Sequence, residues 1–176
     1  MMRRLIAIAA GSATYALVNV LTENMSFPGV QTVRPGIGVL VVFGVLFGPI
    51  VGFFVGLLGS TASDLVTFGF YWNWSLGNGL VGLLAGVSPS LVFRLKRRWL
   101  ALIVVATVGA LAIVVGASTT ALTDVFVANL TLDTAITAEW IPLTILNLAW
   151  AMPLLVILLF VREVLRFRHG EPMKRV

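Results

Sequence analysis

The sequence predicts an all-α integral membrane protein: one bundle of six transmembrane helices, N-in and C-in, with a short second helix. Hydrophobic residues make up 59% of the 176 residues and charged residues only 11%, whereas soluble domains carry roughly 25% charged residues. Apolar runs long enough to cross a bilayer follow one another along the chain. The basic residues lie in clumps between these runs, which is typical of membrane topology rather than of a nucleic-acid-binding surface.

The first helix is predicted over about residues 5–22, behind Arg3 and Arg4. A basic start before an apolar run is also found in secretory signal peptides. This run is long for a signal peptide, and its removal would upset the helix count that follows. We therefore interpret it as a retained membrane span.

The second and third helices come from one apolar run between Gly36 and Phe68. As a single helix it would be roughly 50 Å long, too long for a hydrocarbon core of about 30 Å. Pro49 disfavours helix at Gly48 before it. We therefore predict a short helix over about 35–47 and a third over about 50–68.

The fourth, fifth and sixth helices are predicted over about 74–93, 100–122 and 141–162, followed by a basic cytoplasmic tail over 163–176. The link from Thr123 to Trp140 contains Asp124, Asp133 and Glu139, and we expect an ordered outer loop there.

The orientation follows from three basic clumps, which should all face the cytoplasm. Even numbers of spans must then separate them, and the six predicted helices place four spans and then two between them. A re-entrant second and third helix would preserve this parity and stays open. Only Arg34 among the Lys and Arg residues falls on the outer side. The clumps are Arg3 and Arg4; Arg94, Lys96, Arg97 and Arg98; and Arg162, Arg166, Arg168, Lys174 and Arg175.

The residue inventory argues against an enzyme, and we expect neither metal nor cofactor. The chain has no cysteine, and its single histidine is His169 in the basic tail. Neither Lys96 nor Lys174 belongs to a phosphate-binding P-loop. Uphill transport would need a partner or an ion gradient, and Asp64 is the only acid inside a predicted helix. This favours a partner.

Polar and aromatic residues near the predicted outer face indicate a small-molecule pocket. Asn78 follows Trp74 by four positions, and Trp150 follows Asn147 by three, so each pair shares a helix face. Asn is costly in hydrocarbon unless hydrogen-bonded, which predicts that both amides face the bundle interior. The alternatives are an interfacial aromatic belt and amides that bond only to protein. The candidate solute-binding residues are Trp74, Asn78, Asn147, Trp150, Asp64, Trp72 and Arg34.

We expect the Trp rings to stack, the amides to hydrogen-bond, and Asp64 and Arg34 to match charge, to pair or to anchor helix ends. Small residues at helical spacing predict close packing within the bundle. They occur in three helices: Gly52, Gly56, Ser60 and Ser63; Gly79, Gly82 and Gly86; and Gly109, Ala112, Gly116 and Thr120.

Glycine and proline patterns carry a resemblance to a known family. They are Val33-Arg34-Pro35-Gly36, Phe47-Gly48-Pro49-Ile50-Val51-Gly52, Gly56-Leu57-Leu58-Gly59-Ser60 and Asp64-Leu65. With the chain length and the six segments, they resemble the substrate-binding S components of energy-coupling-factor (ECF) vitamin transporters.

The resemblance implies an outer pocket for a vitamin or related micronutrient, covered by the loop between helices one and two and walled by helices four to six. It implies delivery with a transmembrane coupling subunit and two ATPase subunits in a prokaryotic cell membrane. It also implies that small residues on helix one, here Ala9 and Ala13, dock on the coupling subunit, with ordinary packing as the alternative.

The predicted pocket has no cluster of like charges, which favours a neutral, ring-containing solute such as a riboflavin-like molecule. Two other classes of protein stay open. A scaffold of the rod-shape-determining type would need no pocket. A stand-alone carrier would transport without an ATPase.

Overall fold

A computed structural model describes residues 1–23, 34–67, 69–93, 95 and 97–168 of the chain, with the backbone alone for Arg98 and for 162–168. The described residues form helices and connecting turns, with no strand among them. The helices are α1 Met2–Thr22, α2 Gly36–Phe47, α3 Pro49–Thr67, α4 Trp72–Val92, α5 Arg98–Val127, α6 Leu132–Thr134, the π-helical segment Ala135–Trp140 and α7 Ile141–Arg168.

Five stretches of the described chain are long and apolar enough to cross a membrane. They are α1, α3, α4, α5 and the continuous helical stretch from Leu132 to Val161, while α2 is a shorter apolar helix. The all-α multi-pass membrane fold is therefore confirmed. The placement of both termini in the cytoplasm stays a prediction.

The break between α2 and α3 lies at Gly48, where φ is 93°. This left-handed conformation is strained for residues with a Cβ atom and open to glycine. Pro49 then begins α3, a position at which its missing N–H leaves no helical bond unmade. The Gly-Pro pair thus ends one helix and starts the next without an intervening loop.

Glycines bring α3 and α4 into backbone contact. A Cβ atom on Gly52 would collide with the Gly82 carbonyl, and a Cβ atom on Gly82 would collide with the Gly52 carbonyl. Gly56 lies in the same way against the Asn78 carbonyl. These contacts give the predicted small-residue faces a packing role and bring the polar residues of the two helices within bonding distance.

The outer loop predicted over 123–140 is wrong in its conformation, because the chain there is largely helical. α5 continues to Val127, and Asn129 turns the chain with φ of 54°. Helix resumes at Leu132, where the Thr131 hydroxyl caps the turn by accepting from the Thr134 N–H at 3.2 Å. Asp124 did not mark a helix end, because its charge is buried against α4.

The C-terminal end of the described chain is also helical. α7 runs to Arg168 and so enters the segment predicted as a basic tail. Residues 169–176, the rest of that predicted tail, lie outside the described residues.

Candidate functional site

A cavity lies where the end of α1, the start of α2 and helices α4, α5 and α7 converge. Its volume is about 10 Å³, which is close to the room that one water molecule needs. Side chains with aromatic, amide, hydroxyl and guanidinium groups share its wall with aliphatic ones. The lining residues are Tyr15, Arg34, Ile37, Trp74, Asn78, Val81, Gly116, Ala117, Thr120, Leu143 and Asn147.

Arg34 and Asp64 form an ion pair beside the cavity. Arg34 Nη1 lies 2.8 Å from Asp64 Oδ1, and the two side chains are 17% and 1% exposed. Ser60 Oγ donates to Asp64 Oδ2 over 3.3 Å. A buried carboxylate needs such compensation, so of the roles left open for these two residues the structure shows the pair.

Trp74 is contacted at its face and at its edge. Arg34 Cζ lies 5.5 Å from the centroid of the indole, within the range of a cation–π interaction. The indole Nε1–H donates to Asp124 Oδ2 over 2.8 Å. The indole of Trp74, which lines the cavity, therefore lies between the guanidinium of Arg34, just before α2, and the carboxylate of Asp124 on α5.

Both predicted amides line the cavity, Asn78 from α4 and Asn147 from α7. Asn78 Nδ2 donates to Ser60 Oγ over 3.0 Å, which connects it to the carboxylate of Asp64. Asn147 is 8% exposed. The structure thus brings Arg34, Trp74, Asn78 and Asn147 together, with Asp64 bonded to Arg34 behind the wall.

Two predicted residues do not join this group. Trp72 and Trp150 are 49% and 41% exposed, and neither lines the cavity.

On α1, Ala9 and Ala13 are exposed, while Ala7, Gly11 and Tyr15 are buried. The face expected to dock a partner is therefore not covered by any of the residues that the structure describes.

Sequence reasoning missed Tyr15, which is 1% exposed and lines the cavity from α1. Its hydroxyl interacts with the side chains of Asn19 and Ser60. Asn19 in turn accepts from the Gly36 N–H over 2.9 Å, which joins α1 to the start of α2. Tyr15 and Asn19 are four residues apart in an apolar run, the same spacing that identified Trp74 and Asn78. This spacing could have predicted from the sequence that Tyr15 and Asn19 share a helix face.

Asn73 and Asp124 were also missed as parts of this region. Asn73 Nδ2 donates to Asp124 Oδ1 over 2.7 Å and lies 3.1 Å from Thr123 Oγ1. No spacing rule joins residues some fifty positions apart, so only the packing of α4 on α5 reveals this contact.

The cavity wall combines polar, aromatic and aliphatic side chains. Its polar groups are amides, hydroxyls and one guanidinium whose charge Asp64 balances. A few directional polar groups among apolar and aromatic walls are the usual composition of a small-molecule site. Within the described residues, no group of three His, Asp or Glu side chains is arranged to hold a metal ion. The loop expected to cover the pocket falls largely on residues 24–33, outside the described residues.

Curated relatives of this chain are UPF0397 proteins. One from Aliivibrio salmonicida is 37% identical over 93 residues, covering 52% of this chain and 51% of the relative. One from Vibrio atlanticus is 38% identical over 88 residues, 49% of this chain and 48% of the relative. One from Aliivibrio fischeri is 36% identical over 88 residues, with the same coverage. The chain thus spans about half the length of the curated relatives it matches.

A family model described as "ECF-type riboflavin transporter, S component" matches residues 1–163. This match covers the whole helical bundle up to the last part of α7 and includes every residue of the cavity wall. The family is one of transporter components, not of enzymes. The chain therefore belongs to the family of ECF-type riboflavin transporter S components.

Proposed function

We propose that this chain is the substrate-binding subunit of an ECF-type importer in a prokaryotic cell membrane. It captures riboflavin or a closely related vitamin in the cavity between α1, α2, α4, α5 and α7. A transmembrane coupling subunit and two ATPase subunits, supplied by other chains, then drive delivery. The family match over residues 1–163 is the observation that carries the proposal.

The groups around the cavity support a flavin-like solute. A flavin has a flat ring system with carbonyl and ring-nitrogen acceptors, one ring N–H donor and a neutral hydroxylated chain. Trp74 and Tyr15 offer aromatic surface, and Asn78 and Asn147 offer amide donors and acceptors. Since Asp64 balances the charge of Arg34, the wall requires no charged partner from the solute.

The size of the cavity bears on how binding occurs. A volume of about 10 Å³ accepts about one water molecule and no vitamin. Small-molecule sites usually enclose at least about 300 Å³. The proposal therefore requires that the wall separates as the solute enters.

The charges of the chain support energy supply by partners. Neither of its two lysines belongs to a P-loop, so the sequence contains no site of this type for ATP hydrolysis. Asp64 is an acid within a membrane-spanning helix, where ion-coupled carriers often place ionisable groups. Its contact with Arg34 at 2.8 Å gives it a structural partner and makes a coupling role unnecessary.

The first test is mass spectrometry of small molecules released from the protein purified in mild detergent. We expect a flavin in about equimolar amount, and saturable quenching of riboflavin fluorescence when riboflavin is added to the emptied protein. A protein that releases no flavin and does not quench added riboflavin would contradict the proposed substrate.

Variants then locate the site. Asn78→Leu and Asn147→Leu should each weaken riboflavin binding about ten-fold, because each removes a hydrogen-bonding amide worth about 1 kcal/mol or more. Trp74→Phe and Trp72→Phe form a matched pair on one helix turn, since only Trp74 lines the cavity. We expect weaker binding for Trp74→Phe alone. If the two Trp substitutions weakened riboflavin binding equally, the cavity would not be the binding site.

Transport assays separate the importer subunit from a stand-alone carrier. The chain alone in proteoliposomes should bind riboflavin without accumulating it, and addition of the coupling and ATPase subunits with ATP should start uptake. Uptake by the chain alone would make it a carrier. If cells that carry the Asn78→Leu, Asn147→Leu double variant show the same phenotype as cells with the native protein, a scaffold role would be favoured.

A further inference from the structure

Asp124 is a buried carboxylate on α5 that lies outside the cavity wall. It is 4% exposed and lines no part of the cavity. Its two oxygens accept from different donors on the first turn of α4: Oδ1 from Asn73 Nδ2 at 2.7 Å and Oδ2 from Trp74 Nε1 at 2.8 Å. Through these two hydrogen bonds, Asp124 connects the end of α5 to the start of α4.

The bond to Trp74 has a consequence for the cavity. An indole has one N–H, and fixing that edge restricts the rotation of the whole ring about its two side-chain torsions. The same ring lines the cavity and lies under the guanidinium of Arg34. The plane that the ring presents to the cavity is therefore set from outside the cavity.

The contacts form a continuous series from α3 to α5. Asp64 on α3 pairs with Arg34, Arg34 lies over Trp74 on α4, and Trp74 donates to Asp124 on α5. Glu139, in the π-helical segment, approaches the same Asp124 carboxyl group. Trp74 is the one member of the series with a carboxylate at its edge and a cation at its face.

We propose that Asp124 is a positioning residue of the solute site, acting through the indole of Trp74. This inference rests on the proposed function, because it concerns the site at which riboflavin would bind. Asp124 touches no solute. It holds the ring in the orientation against which Arg34 and the solute pack, so its removal weakens binding by loosening Trp74.

The test is a double-variant cycle with riboflavin as the probe. Asp124→Leu removes the acceptor, and Asp124→Asn keeps one carbonyl oxygen that can accept from the indole. Trp74→Phe keeps a ring over Arg34 but has no N–H to donate. Asn73→Ala is the matched control, because it removes the other hydrogen bond to Asp124 and leaves Trp74 in place.

We expect Asp124→Leu to weaken riboflavin binding about ten-fold in the native background, a change of the size that the loss of one buried hydrogen bond can produce. In the Trp74→Phe background the same substitution should change affinity less than about two-fold. Asp124→Asn should recover part of the loss. Asn73→Ala should lower thermal stability but change affinity less than about two-fold.

A second measurement does not depend on riboflavin. In the ¹⁵N-labelled protein, the indole N–H resonance that disappears in Trp74→Phe belongs to Trp74. It should move upfield in Asp124→Leu, where the carboxylate acceptor is gone, and stay in place in Asn73→Ala. An unchanged resonance in Asp124→Leu would overturn the inference even if affinity falls.

The outcomes distinguish this inference from the proposed function. If the native protein binds no riboflavin, the proposed function fails, and the inference fails with it. If the native protein binds and Asp124→Leu binds equally well, or loses as much affinity in the Trp74→Phe background, the inference fails alone. Loss of affinity in the native background only, with the indole shift, supports it.

Discussion

Arg34 Nη1 lies 2.8 Å from Asp64 Oδ1, and this ion pair connects the residue two positions before α2 to the last part of α3. The exposure is unequal: 17% for the Arg34 side chain and 1% for Asp64. Arg34 also lies over the Trp74 ring, and Asp64 also accepts from Ser60. The pair therefore brings α2, α3 and α4 together at the cavity.

Removing Arg34 should destabilise the protein more than removing Asp64. Arg34→Met leaves the almost fully buried Asp64 uncompensated, and a cost of about 3 kcal/mol or more is usual for such a change. Asp64→Leu leaves Arg34, which keeps Trp74 and partial access to solvent, so it should cost less. The measurement is thermal or chemical unfolding in detergent.

The control for this prediction is the Arg34→Met, Asp64→Leu double variant. It leaves neither charge buried and should be more stable than Arg34→Met alone. A double variant whose losses simply add would show that the two residues act independently.

Gly52→Ala should destabilise the bundle by about 2 kcal/mol, because the new methyl group would meet the backbone carbonyl of Gly82, which has no rotamer to change. Gly109→Ala is the matched control on α5. Its nearest neighbours would be the side-chain ends of Leu155 and Met152 at 3.3 and 3.5 Å, so we expect a neutral or slightly stabilising effect. Equal losses in unfolding experiments would contradict the assigned α3–α4 contact.

Ala9→Trp with Ala13→Trp should block assembly with the coupling subunit and leave riboflavin affinity unchanged. Both alanines are exposed on α1 and lie on a different face from Tyr15, which lines the cavity. Co-purification with the coupling subunit and riboflavin titration of the free chain measure the two effects. If this double variant assembled normally with the coupling subunit, the face of α1 that carries Ala9 and Ala13 would not be the docking face.

The fold could be predicted from the sequence to the extent that local chemistry determined it. Gly48 and Pro49 divided a run too long for one helix, and the structure has α2 and α3 meeting there. The conformation of residues 123–140 could not be obtained in this way. Its charges predicted a loop, whereas Asp124 is buried because Asn73 and Trp74 satisfy it from another helix.

The lining of the cavity was predictable where helical spacing determined which way a side chain points. Asn78 and Asn147 are costly in lipid, and both line the cavity. Spacing did not separate Trp74 from Trp72 and Trp150, because aromatic rings are favourable both in a pocket and at a membrane interface. What distinguishes Trp74 is a pair of contacts with Arg34 and Asp124, and these arise only when separate helices pack.

If the chain captures riboflavin in this cavity, which has room for about one water molecule, then its riboflavin affinity depends on how often the wall opens. If the widened bundle is rare before binding, each ten-fold fall in its population weakens the apparent affinity ten-fold. A larger side chain in place of Ala117, which lines the cavity, would then fill space in the wall, stabilise the empty protein and weaken binding without removing any contact with the vitamin. A substitution that loosens this packing would lower the melting temperature of the empty protein and tighten its hold on riboflavin.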